Sequence, residues 1–174
     1  MDRRLNGARA HQALRRSGRL RQPLDPQTYD EPIFDALITA RERFGDKEIL
    51  EDQDRHPLTY TGLIRAAFVL GRKIAGMTEA EERVAVLLPS SSGVVVTFFA
   101  LHAFARVPVM LNFTAGEANL KAAIKTAGVK KILSAKRFIQ QAKLDELVDQ
   151  LKTVAEISLA CWMKRLADRI LSLI

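Results

Sequence analysis

Ser90-Ser91-Ser92-Gly93 follows the apolar run Arg83 to Pro89 and precedes Val94 to Ala105. Three hydroxyls and several N–H groups between a strand and a helix are a natural place to meet an anion, because a helix start carries unpaired N–H donors and partial positive charge. The phosphate-binding form of that turn needs G-x-x-x-x-G-K-[ST], and here there is one glycine and no lysine. A structural helix start is therefore the first expectation and an anion contact the second. Leu111-Asn112-Phe113-Thr114 closes the next strand, where Asn112 is read as a buried residue fixing the turn, with a substrate or interdomain contact as the alternative. Ser134-Ala135-Lys136-Arg137 places two cations after a third strand, as surface charge or as a contact to an acidic ligand.

Other residue types add no catalytic set. His11, His56 and His102 are far apart, and none has a Cys, Asp or Glu partner at metal-ligand spacing. His102 sits in an apolar helix and reads as a satisfied core histidine. No serine stands in a G-x-S-x-G elbow. Glu79, Glu81 and Glu82 read as a solvated turn. Thr114 and Glu117 have the spacing of a capping box, which predicts a helix entered at Thr114. From the residues alone the chain has no catalytic, cofactor-binding or metal site.

The elements that would position these groups alternate. Helices are expected at Ile33 to Phe44 (apolar stripe Ile33, Phe34, Leu37, Ile38, Phe44), Thr59 to Ala75, Val94 to Ala105, Glu117 to Ala127 and Phe138 to Leu151. Leu63, Ala67, Leu70 and Ile74 mark the second of these. The β-branched Val94-Val95-Val96 start leaves the third open to a strand reading. Strands are expected at Glu48 to Glu51, Arg83 to Pro89, Val107 to Asn112, Lys130 to Ser134 and Val154 to Leu159. The near-continuous apolar run Arg83 to Pro89 suits a strand covered on both faces. The fold class is α/β, an open, mainly parallel sheet with flanking helices.

The 174 residues suit one domain with an appended arm, and the 48% apolar content supports a core without disulfides. Residues 1–30 form a basic, disordered arm, 31–157 the folded subdomain, and 158–174 an amphipathic helix with Trp162, Leu166, Ile170 and Leu173 on one face. Seven of the 27 basic residues lie in residues 1–21 beside one acid, leaving 20 basic and 19 acidic side chains elsewhere. Residues 1–21 lack aromatics to stack on bases, which disfavours nucleic acid; contact with an anionic membrane surface stays open. Cys161 reads as a small core residue of a reduced, cytoplasmic protein, and no apolar run reaches the ~20 residues of a membrane span.

Ile33-Phe34-Asp35-Ala36-Leu37, Leu58-Thr59-Tyr60, Arg83 to Pro89, Arg106 to Leu120 and Val129 to Leu147 together resemble the N-terminal part of the adenylate-forming family. The nearest resemblance is to acyl-CoA and acyl-acyl carrier protein synthetases, in particular those linked to 2-acylglycerophosphoethanolamine acyltransferase. It is most specific at RVPVMLNFTAGEANL, whereas Ser90 stands where many members have Asn. The resemblance implies an enzyme that uses ATP and Mg²⁺ to convert a fatty acid to an acyl-adenylate, then passes it to CoA or acyl carrier protein. It also implies a Ser/Thr/Gly-rich loop ending in Lys-Gly and a catalytic lysine, which would lie beyond Ile174. The expectation is an N-terminal fragment, inactive alone, whose partner is the remainder of the synthetase. The alternatives are a non-catalytic module complementing a separate remainder, and an adaptor for anionic surfaces.

Overall fold

The computed structural model describes residues 31–52, 55, 57–142, 144 and 155–158. The arm at 1–30, His11, His56, Cys161 and the C-terminal helix expected after 158 lie outside the described residues. Helix α1 (Ile33–Phe44) follows Pro32, whose fixed φ suits a helix entry, and stops at Gly45, held at φ 74°. It buries Phe34 and Leu37. Ile33 and Phe44, expected on the same stripe, are 46% and 48% exposed, because they sit at the helix ends beyond its neighbours.

Strands β1 (Glu48–Leu50) and β2 (Leu58–Thr59) pair antiparallel as a small separate sheet. Thr59 then caps α2 (Tyr60–Ala75), its Oγ1 accepting the Gly62 N–H at 3.1 Å. Leu63, Ala67, Leu70 and Ile74 are buried as their spacing requires. Gly71 is needed where α2 meets α3: an added Cβ would lie 2.3 Å from the Phe104 ring and 2.8 Å from the Ala100 carbonyl.

The main sheet holds β3 (Arg83–Leu87), β4 (Val107–Met110), β5 (Lys131–Ser134) and β6 (Ala155–Ser158), in the parallel order β4-β3-β5-β6. Between them run α3 (Ser92–Ala103), α4 (Glu117–Ala127) and α5 (Lys136–Gln141). Val84 and Val86 of β3 face the core shared with α1, α2 and α3, while Ala85 and Leu87 face the core shared with α4 and α5. All four are at most 1% exposed, which is why the run carries no polar alternation. The crossover from β3 to β4 puts α3 on one face. The crossover from β4 back past β3 to β5 reverses direction and puts α4 on the other, so both have the same hand.

The Val107 N–H donates to the carbonyl of Glu82, just before β3, and the Leu111 N–H to that of Val86 in β3, both at 3.0 Å. By alternation Pro108 and Met110 point their backbone nitrogens to the open side of β4. The proline ring thus removes a donor from the one flank where its absence costs nothing.

Two expectations about helices change. The Thr114–Glu117 capping box does not form. Asn112 Oδ1 takes the Thr114 N–H at 3.0 Å and its hydroxyl at 2.8 Å, making a short 3₁₀ turn (Phe113–Ala115). Helix α4 begins only at Glu117, after Gly116 at φ 85°. Helix α5 starts at Lys136, ahead of Phe138, and ends at Gln141, with Leu144 outside it; residues 145–151 lie outside the described residues.

Candidate functional site

In an open parallel sheet the ligand crevice lies at the carboxyl ends of the two neighbouring strands whose connections leave in opposite directions. Here those strands are β3 and β5, and they bring two of the three sequence-selected segments together. Ser134 ends β5 and is fully buried, its hydroxyl donating to the Leu87 carbonyl of β3 at 2.8 Å. The serine thus ties the two strand ends and is not available to a ligand. Lys136 and Arg137 are exposed on the first turn of α5. The third segment is separate: Asn112 lies beyond the end of edge strand β4 and is exposed rather than buried, although it does fix its turn.

The serine turn opens on a groove of about 500 Å³ lined by Leu50, Glu51, Asp52, Ser90, Ser91, Ser92, Val94 and Val95. An anion does sit at the start of α3, and the chain itself provides it. The Asp52 carboxylate accepts the Ser92 N–H at 3.1 Å and the Ser92 hydroxyl at 2.6 Å. Ser91 Oγ donates to the Pro89 carbonyl at 3.3 Å, and Thr97 Oγ1 to the Gly93 carbonyl at 2.7 Å. The turn is thus a structural helix start, and the helix begins at Ser92 rather than Val94. Glu51 and Asp52 make the described wall of the groove acidic, and none of the described residues that line it offers a cation to a triphosphate.

Asp52 was invisible to sequence spacing, because 40 positions separate it from Ser92. Arg106 is a second residue that the sequence did not single out. Its guanidinium donates to the Ala75, Thr78 and Phe104 carbonyls and, at 3.0 Å, to Thr78 Oγ1. The fork satisfies carbonyls at the end of α2 and locks the amino end of β4 beneath it.

The remaining titratable groups are structural. Glu82 is not simply solvated: it accepts the Glu79 N–H at 2.8 Å and pairs with Lys131 at 3.0 Å. Burial pushes its pKa up, but the Glu79 N–H and the Lys131 ammonium outweigh this and hold it below the ordinary value. His102 is half-buried rather than in the core, its ring 4.6 Å from that of Phe98, and desolvation lowers its pKa. Among the described residues no three His, Cys, Asp or Glu side chains could hold a metal ion, and no helix is long and apolar enough to cross a membrane.

A sequence model described as AMP-binding enzyme matches residues 37–169. The chain belongs to that family. This chain is similar in fold to the N-terminal subdomain of NpsA from Klebsiella oxytoca in complex with 3-hydroxyanthranilyl-AMSN. That match has 20% identity and a TM-score of 0.56, over 60% of this chain and 27% of that one. VinN in complex with L-aspartate matches at 17% identity and a TM-score of 0.67, over 79% and 34%. Unliganded O-succinylbenzoate coenzyme A synthetase (MenE) from Bacillus subtilis matches at 15% identity and a TM-score of 0.61, over 77% and 28%. The chain therefore spans between 27% and 34% of the length of these proteins.

Proposed function

We infer that this chain supplies the first sheet of an ATP-dependent ligase. That ligase converts a carboxylic acid to an acyl-adenylate and transfers the acyl group to a thiol. The observation that carries the reading is the family match over residues 37–169, coinciding with the β4-β3-β5-β6 sheet and its crevice. A fatty acid is the proposed substrate, and CoA or acyl carrier protein the proposed acceptor. Both rest on the resemblance of Arg106 to Leu120 and Val129 to Leu147 to acyl-acyl carrier protein synthetases.

The chain is proposed to be inactive alone. Its 174 residues contain no Lys-Gly pair to end a phosphate loop, and among the described residues the helix start facing the groove is filled by Asp52. Charge neutralisation at the phosphates is proposed to come from the remainder of the synthetase. The test is ATP–pyrophosphate exchange by the chain alone, then mixed with the C-terminal two-thirds of an acyl-acyl carrier protein synthetase. Silence alone and exchange on mixing with fatty acids is the expected result. Exchange by the chain alone overturns the inactive reading. Exchange on mixing with aryl or amino acids in place of fatty acids overturns the substrate.

A further inference from the structure

Helix α2 is asymmetric in a way that burial of its inner face does not require. Arg65, Phe68, Val69, Arg72 and Lys73 recur at i, i+3, i+4, i+7 and i+8, which puts them on one side, and all five are exposed. Val69 is 48% exposed and Met77, just past the helix end, 39%; Phe68 is packed edge-on against the Phe34 ring at 5.0 Å and the Phe104 ring at 6.1 Å and still leaves 43% of its surface to solvent. The helix carries three cations and no acid. From α1, Arg41 reaches the same helix through a hydrogen bond to Thr61 Oγ1 at 3.3 Å. Among the described residues the carboxylate placed against α2 by a hydrogen bond is Asp46, which accepts the Thr61 N–H at the far amino-terminal end.

We propose that this outer face of α2 docks on an anionic lipid surface. A protein partner would call for an apolar centre with charges pushed to the rim. Here the order is reversed: Arg65 and Arg72 run along the middle, with Phe68 to one side and Val69 to the other. That interleaving matches a bilayer interface, where phosphates and the acyl boundary lie within a few ångströms and both are met at once. The inference stands apart from the ligase reading and holds whether or not the chain takes part in adenylation.

The test uses the full chain with Cys161→Ser and Val69→Cys, carrying an environment-sensitive dye at position 69. It is mixed with vesicles of phosphatidylcholine alone or phosphatidylcholine with phosphatidylglycerol. A matched chain carries the dye at Lys125→Cys on α4. The expected result is a blue shift at position 69 and none at 125, on anionic vesicles only, fading at high salt. Replacing Arg65, Arg72 and Lys73 by Gln weakens the binding that produces that shift by about a hundredfold. Circular dichroism shows whether this variant is folded; the labelled position reports independently if it is not. Vesicle association without a shift at 69, the result expected if only residues 1–21 touch lipid, overturns the proposal. A shift produced by an acidic carrier protein and not by vesicles also overturns it, and assigns the face to a protein.

Discussion

Asp52, just after the first strand, and Ser92, at the first turn of α3, are joined by two hydrogen bonds, one to the backbone N–H and one to the hydroxyl. The contact closes a helix start that would otherwise present unpaired donors to the groove, and it ties the small β1–β2 sheet to the larger fold.

Asp52→Ala removes the cap and is expected to cost about 1 kcal/mol, while Asp52→Asn keeps an acceptor and costs less. Urea unfolding of the two variants checks this. Equal losses would mean that the charge rather than the hydrogen bond matters.

Gly71→Ala is expected to destabilise by about 1–3 kcal/mol, although alanine is the better helix former. The new methyl would meet the Phe104 ring at 2.3 Å and the Ala100 carbonyl at 2.8 Å. Adding Phe104→Ala relieves the ring contact and not the backbone one. The double variant should therefore lose less than the sum of the singles in chemical denaturation.

Arg106→Met leaves the carbonyls of Ala75, Thr78 and Phe104 without their charged donor. A loss of about 2 kcal/mol or more follows. Arg106→Lys should recover only part of it, since one ammonium cannot span the fork. Full recovery with Lys in thermal melts would refute the geometric role.

Among the described residues Asp46, Glu82 and His102 have lowered pKa values; Asp46 is exposed, and the two half-buried groups shape the pH response. Glu82 has a lowered folded-state pKa, so its contribution is complete above the ordinary 4.5 and is lost as pH falls through the folded value. Glu82→Gln should flatten the acid limb of the stability curve below about pH 5. His102 also has a lowered pKa, from desolvation. The unfolded chain takes up its proton first, so stability falls as pH drops below 6.5 until the folded ring titrates too. His102→Gln should remove that step, read from melting temperatures across the range; an unchanged step would place it on another group.

The fold was legible where local pattern and packing agree. The apolar run at β3 announced a strand covered on both faces, and the intervals of Leu63, Ala67, Leu70 and Ile74 announced a buried helical stripe. The valines opening α3 were ambiguous because β-branched residues suit both states; packing against α2 and β3 settles them as helix. The capping-box spacing was misleading, since Asn112 competes for the same N–H from two residues away and wins with the shorter loop. The Asp52–Ser92 and Arg106 contacts could not be read at all. They join segments that become neighbours only when the chain has folded, and no spacing rule encodes them.

Pro108 has a consequence for how the sheet can grow. On the open side of β4 a guest strand would find the Met110 amide and, two residues earlier, a ring with no hydrogen to give. Half of the ladder is missing before pairing begins, while exposed Val107 and Met110 offer apolar surface without registry. Self-templating along that flank is poisoned at its first rung, so crowded copies of this chain have little means of polymerising through β4.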